Sequence, residues 1–322
     1  MIVAWWDRHQ VALYLAAIVL GAVLGGALPG IAPALERTIT PVLALLLFAT
    51  FLGVPIVQVG RAVRDVRFLA AALAVNFLAV PVLVWGLSRF VADDRGLLLG
   101  LLLVLLTPCV DYVIVFTGLA GGAADRLVAV APVLMLVQLL LLPVFLPLIA
   151  GPEVVRVVEA GPFAQAFLVL IVLPLTAASV LQLLSRRHGA ARRVESVTSA
   201  AMVPLMMLTL AVVVGSQIAA VGSRAADLVR LVPLYLVFVL VAAPLGLLAG
   251  RAARLDVPGT RAVLFSASTR NSLVVLPLAL ALPTALDLAP LAVVTQTLVE
   301  LVALVLLVRV VSAGRSVPPV PA

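Results

Sequence analysis

The chain has 322 residues, 65% of them hydrophobic and only 11% charged, with a mean hydropathy of +1.31. A soluble domain carries about 25% charged residues, so this composition excludes a soluble enzyme. The continuous apolar runs Leu97 to Leu106 and Leu301 to Val308 are equally unlike the alternating strands of a membrane barrel. All 21 basic residues are arginine, giving a formal net charge of +7, and they sit singly or in short clusters between apolar runs. That distribution excludes nucleic acid as a partner. One cysteine, Cys109, and two histidines allow neither an intrachain disulfide nor a metal cluster, and no cofactor is expected.

About 20 apolar residues cross the hydrocarbon of a bilayer, which leaves room for about ten spans in an all-α polytopic membrane protein. Glycine, proline and arginine punctuate the chain into predicted spans near 10–29, 38–58, 68–88, 96–120, 127–149, 162–184, 197–219, 229–250, 259–283 and 288–310. Before the first, Trp5 and Trp6 beside Arg8 read as an interfacial anchor. The stretch from Gln10 to Pro29 lacks a small-x-small cleavage site, so it reads as a retained span rather than a signal peptide.

The arginine-rich loop from Ser185 to Ser196 separates two sets of five spans. The second span of each set opens on a proline and carries a glycine further on, in Pro41 to Gly53 and Pro204 to Gly215. Two five-span halves of opposite orientation form an inverted repeat, a pattern of secondary transporters. Repeat one covers about 10–149 and repeat two about 162–311, within a single transmembrane domain 1–311, and the proline-rich tail 312–322 is expected to be disordered. With the N-terminus inside, 14 arginines fall in cytoplasmic segments and 6 outside, so both termini are predicted to be cytoplasmic in a multi-pass bacterial inner-membrane protein.

The polar chemistry concentrates in the fourth and ninth spans. Thr107-Pro108-Cys109-Val110-Asp111-Tyr112 interrupts one apolar segment, and Ser266-Ala267-Ser268-Thr269-Arg270-Asn271-Ser272 interrupts the other. Polar breaks at matching places in two halves point to a binding site built from broken, crossing helices. Asp111, Arg270 and Glu300 are ionisable residues well inside spans, each costing about 2.5–3.5 kcal/mol at the bilayer centre on insertion scales, so each must face the protein interior or water. Asp111 and Arg270 hold equivalent places and read as partners, either pinning the broken helices together or taking part in transport. Glu300 has no arginine nearby in sequence, and a lone buried carboxyl can carry a proton. Gln58, Asn76, Gln138 and Gln296 read as interhelical hydrogen-bonding residues, and Tyr235 as packing alone.

The run Thr107 to Tyr112, continuing through Phe116-Thr117-Gly118-Leu119-Ala120, resembles the cysteine-bearing fourth span of arsenical-resistance efflux transporters, within the bile acid:sodium symporter superfamily. Leu298-Val299-Glu300-Leu301, with the leucine and valine run to Arg309, is similar to that family's glutamate-bearing tenth span. The resemblance implies two inverted five-span repeats arranged as a core and a panel, with the fourth and ninth spans crossing in the core. It further implies export of arsenite, as the oxyanion or neutral arsenous acid, with Cys109 and Glu300 as the residues that matter. A thiol is the one side chain here suited to trivalent arsenic. Thr107, Ser268 and Asn271 would complete the substrate site beside Cys109, with Glu300, Asp111 and Arg270 serving coupling.

One departure bears on mechanism. Sodium-coupled members carry an acidic residue at the ninth-span crossing, whereas this chain has Arg270 in Ser268-Thr269-Arg270-Asn271-Ser272. Proton antiport through Glu300 is therefore expected in place of sodium coupling. The competing expectations are an organic-anion symporter with Arg270 as counter-ion, and a channel or sensor without coupled transport.

Overall fold

A computed structural model describes residues 2–53, 65–110, 112–151, 165 and 168–313. Among these the regular structure is helical: α1 Ile2–Ala27, α2 Ala32–Gly53, α3 Val66–Val91, α4 Arg95–Leu105, α5 Tyr112–Leu119, α6 Ala124–Ala150 and α7 Leu173–Ser185 in the first part. There follow α8 Gly189–Ala200, α9 Met202–Ser223, α10 Leu231–Ala252, α11 Val257–Ser268, α12 Ser272–Leu280 and α13 Leu288–Ala313. Six helical segments are long and apolar enough to cross a membrane by length and composition, and shorter apolar helices accompany them. The chain is a multi-pass membrane protein.

Three helices begin at an aspartate cap. Asp65, Asp94 and Asp256 precede α3, α4 and α11, and each carboxylate accepts the backbone N–H three residues on, from Phe68, Leu97 and Gly259. The proline-bearing helices continue through Pro41 in α2 and through Pro132, Pro143 and Pro147 in α6. Inside α3 the ladder widens to a π-turn at Val75–Ala79, where Asn76 faces the interior. The segment from Ser185 to Ser196, expected as a loop, instead contributes most of α8. Arg192 and Arg193 are exposed there while Ala191 is buried, so the arginines occupy the wet side of an amphipathic helix.

The helices sort into two packed groups. In one, α1 and α2 lie against α9, and α7 against α2; in the other, α10 packs on α11 and α13 on α4, joined by α3, α5, α6 and α12. The groups touch where α9 meets α13 and α12 meets α2. Close approach needs small residues, as expected where lipid supplies no hydrophobic drive between helices. A Cβ on Gly100 of α4 would lie 2.6 Å from the Ala289 carbonyl oxygen of α13. Backbone cannot give way as a flexible side chain can, so Gly100→Ala is expected to force α4 from α13. The overpacking should destabilise by about 1–3 kcal/mol, read as a lower melting temperature of the purified protein in detergent.

Exposed ion pairs bind the ends of the helices. Arg126 reaches both Asp256 at 2.8 Å and Asp65 at 3.6 Å, linking the starts of three helices, and Arg224 meets Asp287 at 2.9 Å. Arg230 grips both carboxylate oxygens of Asp93, and these hydrogen bonds hold the Asp93 carboxyl below its ordinary range. Such solvated pairs contribute little stability individually.

Candidate functional site

The two polar breaks found in the sequence are the places where the helices part. After α4 ends at Leu105 the chain leaves the helix through Leu106 to Val110, and α5 begins at Tyr112; between α11 and α12 it leaves the helix from Thr269 to Asn271. These two stretches cross side by side as a single antiparallel bridge, Pro108 opposite Arg270. Cys109 N donates to Thr269 O at 3.2 Å, and Asn271 N donates to Thr107 O at 2.8 Å. Pro108 sits at the one bridge position where no N–H is asked of it. The crossing is buried throughout: Thr107, Cys109, Ser268, Thr269, Arg270 and Asn271 are all shielded from solvent.

Among the described residues Arg270 is the largest fully buried side chain, at 0% exposure. Its Nη2 donates to Asn76 Oδ1 at 2.8 Å, Ser266 O at 2.8 Å and Ala267 O at 2.6 Å, and its Nη1 donates to Leu105 O at 3.3 Å. Those carbonyls belong to the last turns of α11 and α4, which lost their intrahelical donors when the helices broke. The guanidinium thus rests at the negative ends of two helix dipoles, with the Phe238 ring 5.2 Å below it. Among the described residues it makes no ion pair within 4 Å. Asp111, its expected partner, lies outside the described residues. Burial of this cation is therefore supported by oxygen dipoles and an aromatic face.

Glu300, buried on α13, approaches the opposite edge of the bridge. Oε2 accepts from Arg270 N at 2.8 Å and from Gln296 Nε2, one turn earlier on the same helix. Oε1 lies 2.7 Å from the Tyr112 hydroxyl, which is also 2.7 Å from Arg270 O. The acid therefore sits beside the N-terminal ends of α5 and α12, whereas the guanidinium sits at the C-terminal ends of α4 and α11. Acid and cation are matched to opposite poles of the same broken helices.

The other expected site residues have local hydrogen bonds. Thr107 Oγ1 donates to Leu103 O at 2.7 Å, and Ser268 Oγ to Leu264 O at 3.0 Å. Asn271 Oδ1 caps α12 by accepting from Val274 N at 3.2 Å. Their oxygens keep lone pairs but their positions are fixed by backbone. Of the amides, Asn76 does bridge helices, donating to Ser266 Oγ at 2.9 Å. Gln296, expected to bond between helices, instead bonds within its own, because Glu300 stands four residues on at the same face. Gln58 lies outside the described residues. Tyr235 does more than pack, since its hydroxyl donates to Ala292 O at 3.0 Å and ties α10 to α13.

Two clefts lie between the helix groups, at opposite ends of α2. One is lined by Ala49, Thr50 and Gly53 of α2 with Val110 and Ile114, next to Cys109 in the chain. The Thr50 hydroxyl on its wall has no hydrogen-bond partner among the described residues. The other is lined by Glu36, Gln217, Arg224 and Asp287. Sequence reasoning missed Thr50 and the Tyr112 hydroxyl. A tyrosine immediately after a polar helix break was the available signal for the latter.

No curated protein matches the sequence closely enough to count as a relative. The family model described as the sodium bile acid symporter family matches residues 40–224, a stretch that includes the first broken helix pair. Members of that family are membrane transporters and not enzymes. With more than half of its length matched, the chain belongs to the sodium bile acid symporter family.

Proposed function

We propose that this chain is a secondary transporter that exports arsenite by proton antiport across the bacterial inner membrane. The observation that carries the reading is that the residue bearing the lone thiol and the buried acid are bonded to two consecutive residues of the crossing. The backbone N–H of Cys109 donates to Thr269 O, and the Glu300 carboxyl accepts from the backbone N–H of Arg270. A substrate ligand and a proton carrier on the same bridge can be made to exclude one another, which is what antiport requires. The lone thiol supports a soft trivalent substrate.

The placement of Arg270 supports protons over sodium. Its guanidinium already takes the carbonyl and amide oxygens that a bound cation would need at the crossing. An organic-anion symporter remains the second reading, favoured by the family's own description; in it Arg270 would meet a substrate carboxylate. The arrangement we propose has ten spans in two inverted repeats, both termini being cytoplasmic. Reporters active only in the cytoplasm, fused to either end, should both give signal, and silence from either would refute the orientation.

Everted membrane vesicles test the function directly. Arsenite should accumulate inside them when a proton gradient is imposed, and accumulation should stop when the gradient is collapsed. Gradient-dependent uptake of an organic anion with no arsenite movement would replace this reading with the second.

A further inference from the structure

We propose that the Tyr112 hydroxyl is a proton-state switch, which passes the protonation of Glu300 to the backbone of the helix crossing. The inference deepens the proposed proton antiport and rests on it for its physiological meaning, though its geometry is independent of the substrate.

A phenol has one O–H hydrogen. Tyr112 Oη nevertheless lies 2.7 Å from two oxygens, Arg270 O and Glu300 Oε1. A carbonyl accepts only, and so does an ionised carboxylate. With Glu300 ionised, one of these two short contacts would set lone pair against lone pair. With Glu300 carrying its proton on Oε1, every group is satisfied: Oε1–H donates to Tyr112 Oη, and Tyr112 O–H donates to Arg270 O. Oε2 is assigned as the accepting oxygen independently, because two N–H donors, Arg270 N and Gln296 Nε2, already point at it.

The result is a closed ring. From Arg270 N–H it passes through the carboxylic acid to the phenol and returns to Arg270 C=O. Because Arg270 stands at a bridge where its neighbours bond towards the partner strand, its own N–H and C=O face outward. The acid and the phenol complete the free edge of that two-stranded crossing. When Glu300 loses its proton, the Tyr112 hydrogen is drawn to the carboxylate as the stronger acceptor. Arg270 O then has no donor among the described residues, and a buried unsatisfied carbonyl is unfavourable. The crossing that carries Cys109 is thereby held in one arrangement by the neutral acid and released from it by the ionised one.

Few other groups can drive this change. Among the described residues, the titratable or charged groups facing Glu300 are Tyr112 from α5 and, from the crossing, Arg270 and Cys109. Tyr235 from α10 bonds to Ala292, two turns away on α13. Helices α9 and α12 have no titratable side chain, and Arg95 of α4 and Arg251 of α10 are exposed.

Infrared difference spectroscopy of the purified protein, without arsenite, reads the ring directly. Native protein near neutral pH should show a carboxylic-acid carbonyl band that is missing from Glu300→Gln and fades as pH rises. In Tyr112→Phe, which keeps the ring stacked edge-on with Phe116, that band should move to higher frequency, as its O–H has lost its acceptor. The same variant in everted vesicles should lose the pH dependence of transport, whereas a purely structural tyrosine would lower transport equally at every pH. Absence of a Glu300-dependent acid band near neutral pH overturns the proposal, whether or not Tyr112→Phe folds. So does a band unmoved by Tyr112→Phe. A band that behaves as expected in a protein that moves no arsenite would instead reject arsenite export and leave the switch standing.

Discussion

Glu300→Gln is expected to abolish proton-driven export while leaving a folded protein. Glutamine reproduces the neutral acid: its amide nitrogen can donate to Tyr112 Oη, and its oxygen can accept from Arg270 N and Gln296. Packing and hydrogen bonds are kept, so the change in stability should stay within about 1 kcal/mol. An amide cannot release a proton, however, and the crossing is held in its neutral-acid arrangement. The gradient-driven initial rate in everted vesicles should fall by about a hundredfold or more, equivalent to at least ~2.7 kcal/mol. Residual movement should be indifferent to pH. Proton-driven efflux at the native rate would remove Glu300 from the coupling mechanism.

The second large effect is expected at Cys109. Arsenous acid is largely neutral near pH 7, so attraction to charge cannot select it. Sulfur binds trivalent arsenic far better than oxygen or nitrogen does, and Cys109 is the one thiol in the chain. A single thiol also limits the grip, since two or three would hold arsenic too tightly for the exchange that transport requires. Cys109→Ser is nearly isosteric, and the bridge at this position uses the backbone N–H, which substitution leaves in place. Packing alone therefore predicts a stable and nearly active serine variant. Ligation predicts a stable protein with its arsenite export rate lowered by about a hundredfold, roughly 2.7 kcal/mol of lost interaction. Cells lacking their own arsenite pump would show it as sensitivity at a concentration that the native protein tolerates. Full tolerance conferred by Cys109→Ser would reject the ligand role and favour the organic-anion reading.

Where the helices break was legible because the signals are local. Pro108 removes a donor, and runs of polar residues interrupt both apolar segments at Thr107 to Tyr112 and Ser266 to Ser272. What each polar side chain bonds to was less legible. Arg270 suggested an acidic partner, because an isolated buried charge asks for an opposite one. Asp111, the expected partner, lies outside the described residues; among those described, the guanidinium donates to four neutral oxygens, two of them three and four residues before it and two from segments distant in sequence. Gln296 suggested a contact between helices, and the residue one turn away took it instead.

By itself, the sequence determined that this is a helical membrane protein, with two apolar segments broken by polar residues and a lone acid in its last span. Those features follow from hydropathy and from the backbone chemistry of proline and of capping residues, which act over a few positions. Tertiary structure alone decided the register of the crossing, Pro108 against Arg270, and that Glu300 and Tyr112 close its outer edge. The partners are separated by 30 to 188 positions, so no local rule could bring them together. Helix packing could, because each breaking helix exposes backbone groups that only a neighbour can satisfy inside a bilayer.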